Sequence, residues 1–299
     1  MTESGILLLD KPLGLSSNAA LGQAKRALGI RKAGHTGTLD PMASGLLVLC
    51  FGEATKVAGF LLDGDKAYLA EVCLGAVTDT DDAEGEIIER RPVPELDETS
   101  IEAALEPFRG PIQQVPPMFS ALKQGGERLY RMARRGESVD RPPRAVTIHE
   151  LELLSWDGAR LRLGVHCSKG TYIRSLARDL GERLGCGAHL SALRRIGSAP
   201  FDVADAIDLE QLMRLEREPA RALLRPADQA LVHLSEIRLD PDSAARLLTG
   251  QRLAGLDQAA SGLVRVYGPQ GFIGVGEADG EGGLKAKRLI STAGDSRAG

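Results

Sequence analysis

The sequence predicts an α+β fold, and three observations carry that prediction. Apolar runs of strand length recur along the chain, amphipathic stretches of helical period stand between them, and the C-terminal part turns rich in glycine. In chain order, Gly5 to Leu9 reads as a short buried strand and Lys11-Pro12-Leu13-Gly14 as a turn. Ser16 or Ser17 caps a helix that runs to about Leu28, where Gly29 is the stop signal. Leu46 to Cys50 is a second buried strand, Glu53 to Leu62 reads as helical, and Lys66 to Leu74 alternates as a strand does. An acidic segment headed by Thr78 to Gly85 lacks the full spacing of a calcium loop and is read as a solvated turn. Pro92 and Pro94 break the chain before an amphipathic helix over Asp97 to Phe108, with Ile101, Leu105 and Phe108 on one face. Leu161, Leu163, Val165 and Cys167 alternate with polar residues, a strand with one buried face. Ile173, Leu176, Ala177, Leu180 and Leu184 then keep helical spacing up to Gly185. A polar helix is expected over Leu209 to Leu224. From about Leu231 short apolar runs recur between glycine-rich turns, twelve of the 35 glycines lying after residue 249. That pattern predicts a small β-rich module.

A chain of 299 residues is long enough for a well-buried core and points to two domains. The first apolar run is too short for a signal peptide or a membrane span, and no later run approaches the needed length. Cys50, Cys73, Cys167 and Cys186 lack C-x-x-C spacing and are read as buried thiols. A cytoplasmic location away from membranes is the expectation. The net charge of −4 argues against a nucleic-acid partner only until its distribution is considered. Residues 76–106 hold eleven acids and two bases, a local −9, so the remainder sums to +5. Residues 120–145 carry seven Lys/Arg against three acids, and residues 157–195 carry eight against three. Local basic faces decide polyanion affinity more than the overall charge does.

The stretch Gly34-His35-Thr36-Gly37-Thr38-Leu39-Asp40-Pro41, followed by Met42-Ala43-Ser44-Gly45, stands out. Its glycines allow tight turns and close approach of a partner, and Pro41 pushes Asp40 out of the helical region. One carboxylate is thus displayed beside a strand; alternatively, Asp40 caps a helix that begins at Pro41. Tyr172 and Arg174 fall where a strand gives way to a helix N-terminus, whose free N–H groups favour anions. Taken singly, they also read as a half-buried aromatic and a surface ion pair. The sequence lacks a P-loop, a G-x-S-x-G elbow, a dinucleotide turn and histidines at metal-ligand spacing. A carboxylate can attack a sugar carbon, but hydrolysis needs a second one to activate water. A lone carboxylate suits glycosidic chemistry from which water is kept out.

Several motifs together resemble the bacterial tRNA pseudouridine synthases of the TruB type. They are Lys11-Pro12-x-Gly14-x-Ser16-Ser17, GHTGTLDPMASGLL (34–47), GEATK (52–56), Asp65-Lys66-x-Tyr68, TDTDDAEG (78–85), QVPPMFSALK (114–123), CSKGTYIRSLARDLG (167–181) and CGAHLSALRR (186–195). The resemblance implies a mixed, mainly antiparallel sheet of the pseudouridine synthase fold over residues 1–228, with a basic RNA-gripping insertion at about 118–145. A PUA-like β-barrel module over 229–292 and a disordered tail at 293–299 would follow. It implies isomerisation of the T-loop uridine at tRNA position 55, with the T-arm stem-loop as partner, no protein partner, a monomer, and no metal or other cofactor. By the same resemblance Asp40 is the catalytic carboxylate and His35 lies at the flipped-out nucleotide. Tyr68 would stack on the uracil, Tyr172 and Leu193 line the pocket, and Arg174 pair with Asp40, favouring its ionised form. Lys11 would have a structural or RNA-contacting role. Where the family often has Tyr before Ser-Ala-Leu-Lys, this chain has Phe119 and lacks that hydroxyl; Ser16 and Ser44 stand where threonine is commoner. Two other readings are an RNA-binding or tRNA-folding module with incidental catalysis, and a glycosidase-like hydrolase that would release free uracil.

Overall fold

The structure, a computed structural model, describes residues 4–120, 122–135, 137, 139–257 and 260–290. The expected disordered tail at 293–299 lies outside the described residues. The chain starts with β1 (Gly5–Lys11), which leads through a turn into α1 (Ser17–Leu28). Ser16 caps α1 by accepting from the Ala19 N–H at 3.2 Å, and Gly29 ends it in the left-handed region at φ 66°. Then come β2 (Ala43–Phe51), β3 (Lys66–Leu74), β4 (Gly110–Gln114), β5 (Arg144–Trp156) and β6 (Arg160–Cys167). The helix α2 (Ile173–Arg183) precedes β7 (Ala188–Ser198) and the short β8 (Ile207–Asp208).

These eight strands form one sheet in the order β8-β1-β2-β7-β3-β6-β5-β4. Only β8–β1 and β7–β2 are parallel among these neighbours; the others are antiparallel. The sheet is therefore mixed and mainly antiparallel. The unbroken apolar runs of β1 and β2 have a direct cause. Ile6, Leu8, Leu46, Val48 and Cys50 pack on one face, together with Val275 and Ile290 of the C-terminal part. Leu7, Leu9, Leu47, Leu49 and Phe51 pack on the other against α1 and the segment 209–220. Strands covered on both faces lose the alternation that a half-exposed strand keeps. On β6, Leu161, Leu163, Val165 and Cys167 face Leu176, Ala177 and Leu180 of α2, which explains both the period of two and the helical spacing.

Three local expectations need correction. Glu53 to Leu62 is a 3-10 turn (Gly52–Lys56) followed by a short α-helix (Ala58–Leu62). The single helix expected over Leu209 to Leu224 is two, Leu209–Arg214 and α3 (Arg217–Ala222), with Leu215 and Glu216 extended between them. Pro219 is the third residue of α3, and a proline is tolerated in a first turn but not in a helix interior. The helix-capping alternative for Asp40 also falls, because Pro41 and Met42 form a turn that enters β2 directly. Within the basic insertion, a two-residue hairpin (Lys123–Gln124 with Glu127–Arg128) precedes a helix over Leu129–Arg134.

The C-terminal part forms a sheet of β9 (Ser235–Arg238), β10 (Ser261–Gly268), β11 (Gly271–Asp279) and β12 (Leu284–Leu289) in sequential order. The helix Pro241–Leu248 packs on it around Ile237, Leu247, Val264 and Val266. Among the described residues the outer strands β9 and β12 do not pair with each other, and no helix is long and apolar enough to cross a membrane.

Candidate active site

The loop before β2 is tied down on both sides of Asp40. Ser17, in the first turn of α1, donates its hydroxyl to the Leu39 carbonyl at 2.9 Å and accepts the Leu39 N–H at 2.8 Å. The Gly14 N–H donates to the Pro41 carbonyl at 2.8 Å. Arg195 of β7, 3 % exposed, donates to the carbonyls of Leu46 at 2.7 Å and Gly37 at 3.1 Å. Here β7 runs parallel to β2, with Gly45 opposite Arg195. The approach is so close that a Cβ on Gly45, whose φ is +101°, would lie 2.2 Å from the Arg195 carbonyl oxygen. Only glycine fits there.

A cavity of about 310 Å³ opens beside this loop, lined in part by Asp40, Lys66, Tyr68, Tyr172, Arg174 and Leu193. Five of the six site residues expected from the sequence therefore meet around one space. Tyr68 comes from β3, Leu193 from β7, and Tyr172 and Arg174 from the N-terminal end of α2. His35 does not line the cavity. It sits on a short strand (Ala33–His35) opposite Leu49, and its Nδ1 is buried with no hydrogen-bond partner among the described residues. Burial, and secondarily Arg195, lower its pKa.

Arg174 organises the charges. Its Nη2 lies 3.0 Å from Asp40 Oδ2 and its Nη1 lies 3.2 Å from Asp82 Oδ2. The same guanidinium donates to the carbonyls of Phe119 at 2.8 Å and Thr80 at 3.2 Å. Side-chain exposure is 7 % for Arg174, 4 % for Asp82 and 38 % for Asp40. The surface ion pair read from Arg174 alone is thus a buried fork between two carboxylates. The solvated turn expected at Thr78 to Gly85 is corrected with it. Asp82 is held by the Thr80 hydroxyl at 2.6 Å and the Glu84 N–H at 3.0 Å, and Asp81 pairs with Arg178 at 3.0 Å. Two arginines on α2 draw these acids inward, since a buried charge needs a partner.

Asp40 has its pKa raised: burial is the main cause, Asp82 adds to it, and Arg174 and Lys11 oppose it. Arg174 favours the ionised carboxylate as expected, yet burial outweighs it. Lys11, fully buried, donates to the carbonyls of Pro12 at 2.9 Å and Leu15 at 2.7 Å. Burial pulls its pKa down to about 8, against the pull of Asp40. Burial also raises the pKa of both Tyr68 and Tyr172, keeping their hydroxyls protonated.

Sequence reasoning passed over Asp82, Gln114, Arg195 and Ser17 as parts of the site. Gln114, 2 % exposed, accepts the Tyr172 N–H at 2.8 Å and donates to the Tyr172 carbonyl at 3.0 Å. Ser175 and Arg178 both donate to the Val115 carbonyl, at 2.8 and 3.1 Å. The base of the basic insertion is thereby fastened to the start of α2. The only sequence signal for these residues was their place within the motifs.

The arrangement holds one carboxylate at the wall of a small cavity, beside two aromatic rings and a buried cation. Residues 25–173 match the family model for the TruB family pseudouridylate synthase N-terminal domain. Residues 174–232 match that for the tRNA pseudouridylate synthase B C-terminal domain, and 235–290 that for the pseudouridine synthase II TruB C-terminal region. The chain is 55 % identical over 288 residues to tRNA pseudouridine synthase B of Aromatoleum aromaticum, covering 96 % of this chain and 93 % of the relative. It is 54 % identical over 291 residues to that of Xanthomonas axonopodis pv. citri, covering 96 % and 94 %. A solved H/ACA RNP bound to a substrate RNA containing 2'-deoxyuridine is similar at a TM-score of 0.73 and 25 % identity, over 96 % of this chain and 85 % of that one. This chain belongs to the TruB family of pseudouridylate synthases.

Proposed function

We propose that this protein is a tRNA pseudouridine synthase, an isomerase that converts the T-loop uridine at position 55. The observation that carries the proposal is Asp40 at the cavity wall, ion-paired to Arg174 and accompanied by Tyr68 and Tyr172. The reaction breaks the bond between the sugar and ring nitrogen 1, turns the base, and joins the sugar to ring carbon 5. Carbon 5 loses a proton and nitrogen 1 gains one, so no water is consumed. A carboxylate nucleophile serves this chemistry when water is excluded. A stacked loop uridine has to be extruded at a cost of a few kcal/mol and held against an aromatic face. Among the described residues Tyr68 and Tyr172 are the two rings that line the cavity, with Leu193 as an apolar wall. His35 is assigned to contact the flipped-out nucleotide, although it does not line the cavity itself.

In this reading residues 1–228 form the catalytic domain and 229–292 an RNA-binding domain of PUA type, whose four-stranded sheet has its own core. The basic insertion at about 118–145 grips the T-arm through phosphates. The enzyme works as a monomer; the free thiols Cys50, Cys73, Cys167 and Cys186 accord with a reducing cytoplasm. The test is position-resolved pseudouridine mapping on unmodified tRNA incubated with the protein. Pseudouridine at the T-loop uridine is expected. Free uracil with an abasic site, or no change in the T loop, would contradict the proposal.

A further inference from the structure

At the far end of β2 from Asp40 lies a second charged surface that the cavity does not account for. Lys25 and Arg26 of α1, Arg31 in the following loop and Arg217 at the start of α3 surround a depression floored by Gly22, Gly29 and Ile30. Arg26, Arg31 and Arg217 are exposed and Lys25 is half-buried. Among the described residues none of the four has a carboxylate within ion-pair distance, and none lines the depression. The neighbouring Lys32 is by contrast neutralised by Glu53 at 2.7 Å.

Fold stability explains only half of this cluster. Lys25 and Arg26 sit in the last turn of α1, where cations complement the helix dipole. Arg31 lies beyond the helix. Arg217 is the first residue of α3, an end where acids are favoured over cations. Its side chain reaches back to Gly29, 3.4 Å from where a Cβ would stand. Four cations gathered with no carboxylate at ion-pair distance among the described residues, on a chain of net charge −4, mark a site for an external polyanion.

The position selects which polyanion. The Gly52 N–H donates to the Lys32 carbonyl at 2.7 Å, which puts the patch beside the end of β2. From Ala43, next to Asp40, to Phe51 the strand runs eight residue steps, roughly 26 Å at about 3.3 Å each. A nucleotide in the cavity and phosphates on the patch would thus belong to one RNA but to separate parts of it. We infer that Lys25, Arg26, Arg31 and Arg217 form a second RNA-phosphate site that holds the part of the substrate RNA lying beyond the T-arm stem-loop. This rests on the reading of the protein as an enzyme acting on structured RNA.

The test compares wild type with the double variant Arg31→Gln/Arg217→Gln on two RNAs, a full-length tRNA transcript and a short T-arm stem-loop. Kd is measured from 50 to 200 mM salt, with pseudouridine formation followed at saturating RNA. The expected result is a roughly tenfold weaker Kd for full-length tRNA and a salt slope shallower by about 1.5, since each phosphate contact contributes about 0.7–0.9. Stem-loop affinity and the rate at saturation stay at wild-type values, and Arg31→Lys/Arg217→Lys restores tRNA affinity. Unchanged tRNA binding would overturn the inference and leave the patch to an acidic protein. Equal weakening of both RNAs would overturn it too, by placing the patch on the T-arm stem-loop itself. A wild-type protein that binds tRNA but forms no pseudouridine would refute the proposed function, while the two-RNA comparison would still read the patch.

Discussion

Replacing Arg174 by methionine tests the electrostatics of the site most searchingly. The substitution leaves Asp40 and Asp82 in one buried region without the cation that separates them. Opposite unit charges about 4 Å apart attract by about 4 kcal/mol at an effective dielectric constant of about 20. The Asp40 side chain is 38 % exposed, so solvent screens this and about 1–3 kcal/mol remains. Arg174 opposes the burial that already raises the Asp40 pKa, so its loss raises that pKa further. If the ionised carboxylate is the nucleophile, the acid limb of kcat/KM moves to higher pH. The assay is release of tritium from carbon 5 of labelled uridine in a T-arm transcript, followed between pH 4 and 9. Thermal melting runs beside it, because a buried carboxylate left unpaired costs about 3–5 kcal/mol. Arg174→Met/Asp82→Asn removes that unpaired charge and keeps the comparison readable if the single variant unfolds. An acid limb that stays put, or moves to lower pH, in a folded variant would refute the reasoning.

Other outcomes follow from the same geometry. Gln114→Ala should cost about 1–3 kcal/mol of stability by stranding the Tyr172 amide groups and lower kcat/KM; Gln114→Glu, which still accepts but cannot donate, should fall between it and wild type in denaturant melts and turnover. Gly45→Ala should lose at least about 2 kcal/mol, from positive φ and the clash with the Arg195 carbonyl together, and an unchanged urea midpoint would contradict the packing described. Lys11 sets a pH dependence whose sign is determined. Between its folded pKa of about 8 and the ordinary 10.5, the unfolded chain holds a proton that the folded chain has released. Stability from this group therefore rises with pH across that window, and Lys11→Met should flatten the rise in melting temperature between pH 8 and 10; a parallel profile would contradict it.

Legibility from the sequence divides along the range of the interactions. The capped helix α1, the double-faced strand β2 and the alternating β6 are written in local signals: a serine and a glycine at the helix ends, an unbroken apolar run, a period of two. Asp40 was legible for the same reason, since glycines and a proline on either side announce a stiff loop. What stayed hidden depends on distant partners. Thr78 to Gly85 reads as a solvated acidic turn until Arg174 and Arg178, more than ninety residues on, neutralise Asp82 and Asp81. Gln114 is one polar residue at the end of a short strand until the fold lays it against Tyr172. The break at Leu215 was a local signal passed over: Pro219 can occupy only a first turn, so a new helix had to begin just before it. Five of the six residues that the resemblance singled out line one cavity, because its motifs carry what such long-range packing requires, while His35 stands apart from the cavity wall.

The central claim is that the Asp40 carboxylate makes the bond on which isomerisation depends. Asp40→Asn keeps size and shape and removes only the nucleophilic charge. Mapped position by position on tRNA, this variant should form no pseudouridine in the T loop while binding the RNA within a few-fold of wild type. Pseudouridine formed by the folded variant at the wild-type rate would contradict the account.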